Sequence, residues 1–342
     1  MTASPHHRIT ESPHHQHTAS QNHNMTTSPN HLITAITAAL EAGKAILKIY
    51  HSGEFDVEIK GDNSPLTKAD TASHNVIMSF LTKTNIPVLS EEGKAILEIY
   101  HSGAFDVEIK GDNSPLTKAD IASHNVIMSY LETTGIPVLS EEGRDISYQE
   151  RKDWKQLWIV DPVDGTKEFI KRNGEFTVNI ALIEDQRPLI GVIFVPVTGE
   201  LYFSSKEIGA FKVAVHLKDY DVEALISKGT KLPLEREDNT FTIVASRSHM
   251  SAETESYVQE MRDIHREVHL ISKGSSLKLC MVAEGTADCY PRFAPTMEWD
   301  TAAGQAICEH AGFGVIDWNT KKTMLYNREE LLNNWFLVKK DD

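Results

Sequence analysis

The chain has 342 residues, 40% hydrophobic and 24% charged, with 49 Asp and Glu against 34 Lys and Arg for a net charge of −15. That length suits about two domains, the composition is globular, and the acidic balance argues against a diffuse nucleic-acid binder. No apolar run approaches the ~20 residues of a membrane span, and three cysteines (Cys280, Cys289 and Cys308) with no CxxC pair argue against a disulfide or zinc scaffold and fit a reducing cytoplasm.

The chain opens with MTASPHHRITESPHHQHTASQNHN, rich in His, Ser, Thr and Asn. So few apolar side chains cannot offset the entropy of ordering, and the apolar stretch of a secretory signal is missing. A disordered extension over residues 1–30 is expected, with metal capture by His6, His7, His14, His15 and His17 as the competing reading. Met25 could serve as an alternative start.

Residues 43–92 then recur as residues 93–142. The copies differ only at Lys48/Glu98, Glu54/Ala104, Thr71/Ile121, Phe80/Tyr130, Thr82/Glu132, Lys83/Thr133 and Asn85/Gly135. Two units cannot make a solenoid, so this is a tandem duplication inside an ordinary domain. Each copy reads as a helix end (KAILKIYHSG), an alternating strand (FDVEIK) and a turn (GDNSP). A second helix follows from KAD through HNVIMS, then a short strand, IPVLSEE, ending in two carboxylates. Before copy 1 the first helix extends back through HLITAITAALEAG, with Ile36, Leu40, Gly43, Leu47 and Tyr50 on one face. One domain has room for one unit, so about 50 residues must leave the core at an exposed turn, where insertions cost little. One solution is a hybrid, with the first helix from copy 1 and the rest from copy 2.

LWIVDPVDGTKEFIKRNGEFTVNIALIE is the most informative stretch. WIV is a strand expected to end at Asp161 and Asp164, with Pro162 fixing the backbone between them and Gly165 allowing a sharp turn. Such a carboxylate pair can grip a divalent cation, although DPVDGT also reads as a plain turn. EFTVNIALIE is a core strand and GVIFVPVTGELYFS a hairpin. Two further acidic stations are Glu141–Glu142 (Glu91–Glu92 in copy 1) and Asp300 in MEWDTAAGQAICEHAG, ahead of a small-residue helix that Asp300 could equally cap. Three stations at strand or helix ends suit a hydrolytic site of two or three cations, where metals activate water and neutralise phosphoryl charge.

These residues resemble a known family. DPVDGT, WDTAAG and the preceding SEEG are similar to the magnesium-dependent, lithium-sensitive inositol monophosphatase superfamily. SPLTKAD, PVLSEE, SRSH, GSSLKLCMVAEG, YPRFAPTMEWDTAAG and DWNTKK resemble its bacterial 3'(2'),5'-bisphosphate nucleotidase branch, which belongs to sulfate assimilation. The resemblance runs from about residue 31 to the C-terminus, excepting one repeat copy.

The resemblance implies an α/β fold: a layered αβαβα sandwich with an N-terminal α+β domain over 31–210 and a C-terminal α/β domain over 211–342. It implies metal ligation by Glu141 (or Glu91), Asp161, the carbonyl of Val163, Asp164 and Asp300. Thr166 and Asp120 (or Asp70) would orient or deprotonate the attacking water. Gly165, Thr166, His249, Gly274, Lys278 and Asp300 would contact substrate. The expected reaction is magnesium-dependent removal of the 3'-phosphate from adenosine 3',5'-bisphosphate, by a cytoplasmic enzyme that could sit peripherally at the inner membrane. The competing readings are an inositol monophosphatase-type sugar phosphatase and a non-catalytic metal- or nucleotide-binding protein disabled by the duplication. The oligomeric state cannot be read from the sequence.

From the residues alone, Gly274 permits close backbone approach, and Lys278 could pair with a phosphate or lie on a solvated helix face. Arg292 could face the substrate. Lys167, Lys171 and Arg172 form a local basic patch, and SRSH could be no more than a capped loop. All three cysteines are expected to be buried small hydrophobes.

Overall fold

In the computed structural model, helix α1 runs over Pro29–Ser52. The residues described are 29–52, 58–59, 65–66, 107–109, 115–117, 135–141, 145–165, 168, 173–236, 240–246 and 251–340. In α1, Leu32, Ala35, Ile36, Ala39 and Leu40 are all buried, at the spacing that puts side chains on one helical face.

That face covers a seven-stranded sheet. Its strands are β5 (Val138–Ser140), β6 (Gln156–Asp164), β7 (Thr177–Glu184), β8 (Arg187–Val195), β9 (Glu200–Ser205), β10 (Gly209–Ala214) and β11 (Thr230–Lys231). They lie side by side in chain order; β5 and β6 are parallel and every other neighbouring pair is antiparallel. Strand β10 spans the expected domain boundary at 210/211 and pairs wholly within this sheet. Helix α2 (Tyr148–Arg151) leads into β6, and α3 (Val222–Lys228) packs beside α1 on the sheet's outer face.

A second sheet has five strands: β12 (Phe241–Ser246), β13 (Val268–Lys273), β14 (Cys289–Arg292), β15 (Phe313–Asp317) and β16 (Phe336–Lys340), in the order β13-β12-β14-β16-β15. Helix α4 (Ala252–Ile264) covers its outer face through Val258, against Ile243, Cys289 and Leu337. Between the sheets lie α5 (Leu277–Glu284) and α6 (Glu298–His310). The layers are therefore helix, sheet, helix, sheet, helix, which is the expected αβαβα sandwich.

The small residues of TAAGQA let α6 lie close against β8. A Cβ on Gly191 would sit 2.4 Å from the Ala303 carbonyl oxygen, so any larger residue there would lift the helix off the sheet. Cys280, Cys289 and Cys308 are all free and buried, as expected.

The repeat resolves as a hybrid among the described residues. The helical segment of copy 1 completes α1, while β5 comes from copy 2. Each copy also forms its own hairpin. Strands β1 (Glu58–Ile59) and β2 (Pro65–Leu66) pair Glu58 with Leu66, and β3 (Val107–Ile109) and β4 (Pro115–Thr117) pair Glu108 with Leu116. The register is the same 50 residues on, and neither hairpin joins the large sheets. The second helix expected from KAD through HNVIMS lies outside the described residues in both copies, as does the N-terminal extension before Pro29.

Candidate functional site

Strand β6 continues through both aspartates and ends at Asp164, as expected. It does so by bulging. Asp161 pairs with Asn179 and Asp164 with Thr177, so three steps on β6 face two on β7. Pro162 and Val163 fall in the bulge, where a proline costs no ladder hydrogen bond. The bulge re-aims Asp164, while Asp161 turns back so that its Oδ1 accepts the Val163 N–H at 3.0 Å.

Strand β5 runs parallel to β6 and stops one residue before Glu141, whose N–H donates to the Val160 carbonyl at 3.2 Å. Copy 2 thus delivers its glutamate beside Asp161. Asp300 arrives from the other side, in the first turn of α6. It is not the N-cap considered from sequence: Met297 holds that place, and Asp300 Oδ2 accepts the Met297 N–H at 2.8 Å from the third helical position.

These carboxylates share a buried junction between the two sheets. Asp161 is 1% exposed. Burial, then the charges of Glu141, Asp164 and Asp300, push its carboxyl well above the usual carboxylate range. Burial followed by the charge of Asp164 lifts Asp300 to about 7. Each of the three aspartates is turned onto a hydrogen bond within the protein, and among the described residues no three ligand-type side chains form a closed coordination group. The donors are all oxygens, and their crowded negative charge is the condition a small hard dication relieves. The residues therefore fit a divalent metal.

Gly165 follows with φ +97°, and a Cβ there would meet the Glu175 carbonyl oxygen and the Ser275 Cβ, each at 3.2 Å. A side chain at this turn would be both strained and crowded. The Gly274 N–H donates to Glu175 Oε2 at 2.9 Å, which fixes the loop ahead of α5.

Lys278 lies neither on a solvated helix face nor free in the site. It is 7% exposed, and its ammonium donates to the carbonyls of Ser275 at 2.5 Å and Lys273 at 3.3 Å, over the Tyr290 ring. Burial lowers its pKa to about 8, against the opposing pull of Asp164. Arg292 is close enough to act electrostatically on Asp300 and Lys278, and its Nη2 donates to the Pro295 carbonyl at 2.9 Å. Thr166, His249, Asp120 and the basic group Lys167, Lys171 and Arg172 lie outside the described residues, as do Asp70 and Glu91.

Two site residues were missed in the sequence, Asn179 and Ser276. Asn179 is 1% exposed and reaches both Ser276 Oγ at 2.9 Å and Asp164 Oδ2 at 3.4 Å. Ser276 Oγ lies 2.8 Å from the same Asp164 oxygen. The available signal was an asparagine in the middle of an otherwise apolar core strand.

Comparison with known proteins finds relatives over most of the chain. The inositol monophosphatase family model matches residues 78–340. The chain is 47% identical over 304 residues to the 3'(2'),5'-bisphosphate nucleotidase CysQ of Shigella flexneri, covering 88% of this chain and 96% of the relative. The enzyme of the same name from Escherichia coli K12 is 45% identical over 303 residues, with the same coverage of both chains. Among solved structures, CysQ from Bacteroides thetaiotaomicron, a bacterial member of the inositol monophosphatase family, is 42% identical with a TM-score of 0.72, covering 92% of this chain and 99% of that one.

Proposed function

The chain belongs to the inositol monophosphatase family, and from that premise we propose that it is a 3'(2'),5'-bisphosphate nucleotidase. It releases the 3'-phosphate of adenosine 3',5'-bisphosphate and leaves AMP. The observation that carries this reading is the convergence of Asp161, Asp164 and Asp300, with Glu141 beside them, at one buried junction.

The side chains of Glu141, Asp161, Asp164 and Asp300 and the carbonyl of Val163 would hold magnesium, as two or three ions. Bound there, the metal supplies charge neutralisation for the phosphoryl group and activation of water. The chain supplies the positioning. Thr166 and Asp120 orient the water and take its proton. The backbone at Gly165 and Thr166 meets the phosphate, and His249 and Gly274 face the nucleotide. Lys278 braces the 273–275 loop and adds positive charge behind it. As the water oxygen bonds to phosphorus, the bond from phosphorus to the 3'-oxygen breaks, and that oxygen leaves as a hydroxyl by taking a proton from the surrounding water. The family resemblance extends the proposal to inhibition by lithium. No helix among the described residues is long and apolar enough to cross a membrane.

Phosphate release by the purified chain with magnesium, on adenosine 3',5'-bisphosphate and on inositol 1-phosphate, tests this reading. Faster release from the bisphosphate is expected. Faster release from inositol phosphate would assign the chain to the sugar phosphatases, and no magnesium-dependent release from either would make it a binding protein.

A further inference from the structure

The start of α5 has an unusual feature. Ser276 is the N-cap residue of that helix, a position where serine normally accepts a hydrogen bond from the helix's own free N–H groups. Its side chain makes no such bond. The hydroxyl instead lies 2.8 Å from Asp164 Oδ2 and 2.9 Å from the Asp300 carbonyl oxygen, so one proton is shared between the two acidic stations. Its oxygen in turn receives the Asn179 amide at 2.9 Å.

Asn179 has its own support. Thr177 Oγ1 donates to Asn179 Oδ1 at 3.0 Å, which turns the Asn179 NH₂ toward Ser276 and Asp164. Thr177, Asn179 and Ser276 are all buried, so these bonds face little competition from water. Thr177 and Asn179 pair with Asp164 and Asp161 across the bulge. Ser276 belongs to the layer between the sheets. The chain of bonds therefore ties the seven-stranded sheet to the first turns of α5 and α6.

We propose that Asn179 and Ser276 are positioning residues for the metal site, latching Asp164 in the orientation in which it holds the cation and linking it to the helix start that carries Asp300. This rests on Asp164 and Asp300 being metal ligands, as proposed above. Partners of this kind set ligand orientation, and their loss commonly weakens metal binding 10- to 100-fold.

Direct titration with Mn²⁺, followed by its electron paramagnetic resonance signal, separates the two ideas. Ser276→Ala and Asn179→Ala should each raise the Mn²⁺ Kd about 10-fold or more, with a matching rise in the magnesium needed for half activation. Ser276→Thr keeps the hydroxyl and should restore binding most of the way. Thermal unfolding of each variant checks the fold, and a merely structural role would lower Tm and leave the Kd of the folded protein unchanged. An unchanged Kd in folded Ser276→Ala and Asn179→Ala, or equal weakening in Ser276→Ala and Ser276→Thr, overturns the latch. If the unaltered chain itself binds no Mn²⁺, the metal site fails and the latch with it.

Discussion

In the first turn of α6, Glu298 and Asp300 stand two residues apart, Glu298 fully buried and Asp300 half-buried. Glu298 accepts the Asn327 N–H at 2.7 Å and the Arg328 N–H at 3.0 Å, and pairs with Arg328 Nε at 3.2 Å. Arg151 stands close behind it, fixed by Asn327 Oδ1 at 3.0 Å and the Glu329 carbonyl at 2.8 Å. Asp300 accepts one backbone N–H and otherwise faces the Asp164 carboxylate, an arrangement that Arg292 and Lys278 offset only in part. Burial lifts both acids to about 7, so burial does not separate them. Their neighbours do. The protein completes the surroundings of Glu298 from its own groups, and around Asp300 it gathers more negative charge. A buried carboxylate crowded by others points to a ligand from outside.

Substitution should expose that difference. Asp300→Asn should cost about 10³-fold in phosphate release, the scale of losing a main electrostatic contribution to the reaction, while leaving Tm near that of the unaltered chain. Glu298→Gln should do the reverse. Leaving the buried Arg151 and the half-buried Arg328 without their counter-charge should cost about 2–3 kcal/mol of stability, with a far smaller loss of activity per folded molecule. Thermal unfolding and phosphate release measured on both variants decide. Equal loss of activity at unchanged Tm would mean that Glu298 belongs to the site.

A second comparison lies between the repeat copies, and its expected effect is somewhat smaller. Glu141→Gln should lower turnover on the order of 10²-fold, by removing charge at the site without shortening the side chain, and Glu91→Gln should leave it near normal. Activity lost only in Glu91→Gln would reverse the assignment of copy 2 to the site. The sequence allowed the hybrid but could not choose it, because PVLSEE is identical in both copies. What selects copy 2 is pairing. Val138 stands against Trp158 and Ser140 against Val160, and Glu141 then falls beside the bulge.

The same distinction separates what could be read from the sequence from what could not. Helix α1, the core strands and the small-residue helix were legible because local spacing determines them. The bulge was not, since one extra residue slips the register only against a particular partner strand. Asp300 was visible as an acid at a helix start, but whether it caps from the first or the third position depends on where Met297 turns into the helix. Lys278 was visible as a cation near the site. That it folds back onto the carbonyls of Ser275 and Lys273 depends on the loop before α5, in which Ser275 takes φ +41°. Asn179 and Ser276 were hidden for a related reason: the Asp164 carboxylate that both reach lies 15 residues from Asn179 and 112 from Ser276 along the chain.

The far end of α6 extends the comparison to a base. His310 closes the last turn, where the helix dipole favours a positive charge by about 0.3–1 kcal/mol. Burial opposes this and lowers its pKa to about 4; Glu207 pulls it up and Lys206 pushes it further down. A shift from 6.5 to about 4 is worth roughly 3 kcal/mol at most, so burial outweighs the dipole. The imidazole is held neutral, with Nδ1 buried and unpartnered. A base whose folded pKa lies below its unfolded value contributes full stability above about 6.5, and loses it as pH falls toward about 4 because the unfolded chain takes up the proton first. His310→Phe should therefore flatten the acid side of the stability profile between those two values while leaving phosphate release at neutral pH unchanged. Thermal unfolding from pH 7 down to ~4 reads this out, and an acid slope identical in the variant would show that His310 takes up its proton as readily folded as unfolded.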